Sequence, residues 1–104
     1  MPTLGKTDRT KCNILQTLVE ALRKSRQIET APQLPARAQQ LRVCDKISNL
    51  RAIKASPPAG WSTRRKIEYF HWAKKVVDGC HDAGSEMTEL FQETYLDGLG
   101  LVTV

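Results

Sequence analysis

Two pairs of side chains in this chain have a spacing that could do chemistry. In "VCDKISNL" an aspartate and an asparagine stand four residues apart, at Asp45 and Asn49. On a helix turning about 100° per residue the two lie roughly 40° apart, so a carboxylate and an amide share one face. Such a pair suits a divalent metal ion or a polar substrate; equally, it is the pattern of a solvated helix stripe. In "STRRKIEY" the same interval separates Arg65 from Tyr69. That spacing can aim a guanidinium and a phenol at one phosphate or ring, and it also decorates many helix surfaces. Other reactive groups are isolated. Neither His71 nor His81 has a histidine or cysteine at i+3 or i+4 to complete a metal pair. The chain holds no glycine-rich phosphate loop and no nucleophile in a recognisable setting.

The elements that must position these residues read as helices. Ile14, Leu15, Leu18, Val19 and Leu22 repeat at helical spacing, with Thr10 or Asn13 as the expected cap after ten polar, mobile residues, and the pattern runs to about Thr30. Pro32 stops it, and Pro35 opens a second helix expected to reach Ile53. On that helix Val43, Cys44, Ile47 and Leu50 cluster opposite Asp45 and Asn49. "KASPPAG" is a loop by its prolines and glycine; Ser62 then caps a third helix whose apolar side carries Ile67, Phe70, Ala73, Val77 and Cys80. Ser85 opens a fourth, with Met87, Leu90, Phe91 and Tyr95 on one face and Gly98 as its expected end. The tail "LVTV" is β-prone, but no convincing strand emerges. The fold class is all-α, a bundle of about four helices.

Composition narrows the functional classes. A chain of 104 residues is one domain. With 40% hydrophobic and 26% charged residues it belongs with folded chains rather than disordered ones. It has no apolar run of membrane-spanning length and no signal-peptide core at its start, which makes a cytoplasmic location the expectation. Cys12, Cys44 and Cys80 are odd in number and widely spaced, fitting buried or semi-buried thiols better than a disulfide framework or a zinc motif. Trp61 and Trp72 read as packing anchors. The net charge of +5 favours anionic partners. Clusters at Arg23/Lys24/Arg26 and Arg64/Arg65/Lys66 would suit a small basic module binding nucleic acid or an acidic protein.

Three segments together carry a family resemblance. "LRKSRQIETAP", "CDKISNLRAI" and "PPAGWSTRRKIEYFHWAKKVVDG" agree in order and separation with motifs in the C-terminal half of the HD-domain guanosine polyphosphate pyrophosphohydrolases, most of all the small stand-alone type. The matched positions include Arg23, Lys24, Gln27, Glu29, Ala31 and Pro32; Asp45, Lys46, Asn49, Leu50 and Arg51; and Pro58, Gly60, Trp61, Glu68 to Phe70, Trp72, Ala73, Val76, Val77 and Gly79. Residues 1–21 form a segment without a family match, and 22–104 resemble the C-terminal half of the domain.

The resemblance implies Mn²⁺-dependent removal of the 3′-pyrophosphate of guanosine polyphosphates. It gives Asp45 the place of the last metal ligand, Asn49 a place in the substrate pocket, and Arg65 with Tyr69 places against the phosphates and nucleoside. The family's other metal ligands, two histidines and an aspartate, and its water-activating Glu-Asp pair lie in a half with no counterpart here. The implication is half of an active site, inactive alone. Uncovered apolar surface should then favour self-association. A guanosine polyphosphate is the implied partner, with nucleic acid the rival.

Overall fold

The computed structural model describes the backbone of residues 2–102 and the side chains of residues 14–100. Helix α1 runs Pro2–Thr30, a single 3-10 turn follows at Ala31–Gln33, and α2 (Ala36–Ala55), α3 (Thr63–Asp78) and α4 (Ser85–Val102) complete the chain. The described residues hold helices and connections and no strand, so the all-α expectation stands.

Local chemistry explains most boundaries. Pro32 cannot continue α1, and the chain tightens into the 3-10 turn around it. Pro35 sits at the N-cap of α2, where its carbonyl accepts from Gln39 N–H at 3.0 Å and its missing N–H leaves no orphan donor. Ser62 is extended at the N-cap of α3 and its hydroxyl accepts from Arg65 N–H at 3.1 Å. Gly60 (φ +82°) and Gly84 (φ +98°) make the left-handed turns ahead of α3 and α4.

Helices α2, α3 and α4 enclose one core. Val43, Leu50, Phe70, Ala73 and Val76 are fully buried, with Ile47, Ile53, Val77, Cys80, Phe91 and Tyr95 nearly so. Phe91 and Tyr95 stack at 6.0 Å between centroids. Two polar groups join the ends of the bundle. Gln39, wholly buried, donates to Leu34 O at 2.9 Å and accepts from Asp82 N–H at 2.7 Å, so one amide spans both loops. Lys54 pairs with Asp97 between α2 and α4.

Several expectations need correction. Neither Thr10 nor Asn13 begins the first helix, which already runs from Pro2. Gly98 does not end α4. It lies buried inside the helix, where an added Cβ would fall 2.6 Å from the Phe70 ring, so glycine is there for close packing. Cys44 is exposed and Cys80 buried; the side chain of Cys12 lies outside the described residues. Leu90 is on the outer face of α4, because Met87, Phe91 and Tyr95 already fill the inner one. Leu101 and Val102 continue α4; Thr103 and Val104 lie outside the described residues.

The radius of gyration is 16.5 Å and the extents are 58 × 35 × 15 Å. A compact globular chain of this length would have a radius of gyration of about 13 Å. The excess comes from α1, whose 29 residues span about 43 Å.

Candidate functional site

The site assembles where the C-terminal part of α1, the middle of α2 and the start of α3 meet. Asn49, half-buried, donates its amide to the Tyr69 hydroxyl at 3.0 Å, which ties α2 to α3. The same amide lies 3.5 Å from Asp45 Oδ2, and Lys46 Nζ is 3.2 Å from that oxygen. The Asp45 side chain is 58% exposed, whereas Lys46 is 4% exposed.

Lys46 is thus a buried cation, and its surroundings show how it is tolerated. Its ammonium stands 4.4 Å above the Trp72 ring and against the Asp45 carboxylate. Nothing in the sequence reading marked it as a core residue. The signal was present: Lys46 follows Val43 by three residues and precedes Leu50 by four, which puts it on the buried stripe of α2.

Aromatic rings form the wall between α1 and α3. Tyr69 stands 5.8 Å from Trp61 and 5.3 Å from Trp72, both tilted. The Trp72 indole N–H donates to Lys24 O at 3.1 Å, anchoring α1. Lys24 Nζ lies 5.4 Å from the Trp72 ring and 5.8 Å from Tyr69. The Arg65 guanidinium stacks 4.4 Å over Trp61. Beside them lies an open cleft of about 590 Å³, bounded by Glu20, Lys24, Trp61, Ser62, Arg64, Arg65, Glu68 and Tyr69. Trp61, read as a packing anchor, therefore also faces the cleft, while Trp72 stands behind Tyr69 and holds α1 and Lys46. The aromatic–cation alternation of Trp61, Tyr69, Arg65 and Lys24 is a surface on which a planar ring and anionic groups can both be held.

Of the four residues singled out by spacing, Arg65 and Tyr69 line this cleft; Asn49 adjoins it through its bond to Tyr69; Asp45 lies one further contact away. Burial pushes the Tyr69 phenol above its ordinary value of 10.0; the Asn49 hydrogen bond works against this and the Asp45 charge adds to it. Tyr69 is therefore a neutral hydroxyl at physiological pH.

A metal finds little here. Among the described residues no three His, Cys, Asp or Glu side chains come together to hold an ion. Asp45 already faces an ammonium, and His71 and His81 are exposed elsewhere. Asp45 is thus at most one ligand, and the described residues alone do not make up the set that holds a Mn²⁺. Of the two basic clusters, Lys24, Arg64 and Arg65 meet at the cleft, where Arg64 pairs with Glu68 at 3.3 Å and Arg65 lies on Trp61. No helix is long and apolar enough to cross a membrane among the described residues.

Comparison with known proteins agrees with the motifs. No protein-family model matches the chain. It is 35% identical over 82 residues to guanosine-3′,5′-bis(diphosphate) 3′-pyrophosphohydrolase of Danio rerio and 37% identical over 82 residues to that of Xenopus tropicalis; each alignment takes in 79% of this chain and 46% of the relative. The Homo sapiens protein of the same name is 35% identical over 80 residues, 77% of this chain and 45% of the relative. The chain spans about half the length of the curated relatives it matches. It is thus a partial homologue of the HD-domain guanosine polyphosphate 3′-pyrophosphohydrolases, as its three motifs implied.

Proposed function

We propose that this chain supplies the nucleotide-facing part of a guanosine polyphosphate 3′-pyrophosphohydrolase site, and that the cleft between α1 and α3 takes the nucleotide. The observation that carries the reading is the 3.0 Å bond from Asn49 to Tyr69. It joins the "CDKISNL" and "RRKIEYF" segments at the edge of a cleft that offers rings to a base and cations to phosphates. Tyr69 presents a neutral hydroxyl, Arg65 and Lys24 provide charge, and Trp61 offers a stacking face. The relatives bear the name of the reaction, and their similarity takes in 77–79% of this chain. In this reading the location is cytoplasmic.

For the chemistry, Asp45 would contribute one carboxylate to the family's Mn²⁺. The described residues do not complete that site, so no hydrolytic step is assigned to them, and the chain by itself is expected to bind rather than to hydrolyse. Calorimetric titration with ppGpp, GDP and duplex DNA tests the binding. ppGpp should bind more tightly than GDP, and Arg65→Ala and Tyr69→Phe should each cost on the order of 1 to 3 kcal/mol. Duplex DNA binding that falls steeply with salt, with no preference for ppGpp, would transfer the site to the basic-module reading. A chimera in which a relative's N-terminal half replaces residues 1–21 should release pyrophosphate from ppGpp, and Asp45→Asn should abolish that release. Activity that survives Asp45→Asn would remove Asp45 from the metal.

A further inference from the structure

We propose that the outer face of α1 is a self-association surface on which a second copy of this chain packs its own α1 antiparallel about a two-fold axis near Leu18. The inference is independent of the nucleotide reading.

The starting observation is a helix whose more apolar side faces outward. Ile14, Leu15, Leu18, Val19 and Leu22 are 57%, 60%, 55%, 45% and 69% exposed. The side of α1 that meets the bundle is a different one: Lys24 reaches Tyr69 and Trp72, and Ile28 packs against the core. At helical periodicity the centre of the outer stripe lies roughly 130° around the axis from Lys24 and Ile28, so α3 cannot cover it. Between Asn13 and Leu22 the one charged residue is Glu20, and it lines the nucleotide cleft on the inner side. The stripe is therefore an uncharged apolar seam, bordered by Arg23 and Arg26.

Its sequence fits its own reverse. In an antiparallel pair centred between residues 18 and 19, Leu15 of one copy faces Leu22 of the other, and Leu18 faces Val19. A two-fold interface requires this self-complementarity, because one patch must serve on both sides. The size also agrees. Five such side chains expose on the order of 500 Å² per copy, so a pair buries about 1,000 Å², the lower bound of a specific interface before the stems of Arg23 and Arg26 are added.

Sedimentation of the 104-residue chain over a concentration series tests this. The chain should dimerise. Leu18→Glu should raise the dissociation constant at least ~100-fold while circular dichroism keeps the signal of α2 to α4, since Leu18 is not part of their core. Leu41→Glu, an exposed leucine on α2, should leave the dimer intact. In a Cys12→Ser, Cys44→Ser background, Leu18→Cys should oxidise to a linked dimer and Ser25→Cys should not, since antiparallel packing brings the first pair together and carries the second apart. A wild-type chain that stays monomeric throughout overturns the proposal. So does a dimer indifferent to Leu18→Glu, or equal cross-linking at Ser25, which would mean parallel packing. Monomers that instead capture the purified N-terminal half of a relative, with Leu18→Glu abolishing capture, would also overturn it and give the face to that half.

Discussion

Helices α1 and α3 are both amphipathic, yet they use their apolar faces in opposite ways. In α3, Phe70, Ala73, Val76 and Val77 are turned inward and buried between α2 and α4. In α1, five large apolar residues stay outside, and the helix is held by Trp72 on its Lys24 carbonyl, by Ile28, and by the buried Ala31 at its end. An apolar face is a demand for a neighbour, and the chain's own helices meet that demand for α3 but not for α1. The contrast separates residues that determine the fold from residues free to determine association.

The contrast breaks if large-to-small substitutions on the two helices cost the same. Phe70→Ala should lose about 3 to 5 kcal/mol in denaturant unfolding, because it empties a fully enclosed ring site. Leu18→Ala, measured at protein concentrations where the chain is monomeric, should change stability by less than about 0.5 kcal/mol. A comparable loss at both positions would mean that α1 is covered in solution by this chain itself.

A smaller effect sharpens the reading of α4. Helix propensity alone predicts that alanine in place of a helical glycine stabilises by about 1 kcal/mol. At Gly98 the new Cβ would meet the Phe70 ring at 2.6 Å, whereas at Gly100 it would meet nothing within 4 Å. Gly98→Ala should therefore destabilise by about 1 to 3 kcal/mol and Gly100→Ala should be neutral or mildly stabilising. Matching signs at the two glycines would show that Phe70 yields easily.

The α2–α3 tie has a pH signature. Folding raises the Tyr69 value above 10.0, chiefly through burial, so the folded chain holds the phenol neutral where the unfolded chain would ionise. Its contribution is fully present below pH 10 or so and is lost as pH rises through the folded value. Unfolding curves across the alkaline range should show this loss in the wild type and a shallower one in Tyr69→Phe. An unchanged slope would detach Tyr69 from the linkage.

The last comparison perturbs stability least. In a Cys12→Ser variant, a thiol reagent should label Cys44 at once and Cys80 only on opening of the fold. Cys44 is exposed, while Cys80 is enclosed, its Sγ–H directed to Val76 O at 3.4 Å, and burial pushes its thiol above 9.0 against the opposing influence of Arg42 and Lys46. Equal rates would place Cys80 in a region that opens readily.

Much of this molecule was determined by local sequence. The prolines at 32 and 35 end one helix and start the next, Ser62 caps α3, and the spacing of Val43, Ile47 and Leu50 or of Phe70, Ala73 and Val77 marks faces that are in fact buried. The motifs also sufficed to identify the family. Tertiary structure alone decided the rest. Periodicity reports that a face is apolar, not whether anything lies against it, so the stripe of α1 and the core of α3 looked alike in sequence. The same limit hid the burial of Lys46, which depends on Trp72 being 26 residues away in the chain and 4.4 Å away in space. It hid the role of Gly98 too, since a helix-ending glycine and a glycine that admits a neighbouring ring are the same letter. Only the position of Phe70 tells them apart.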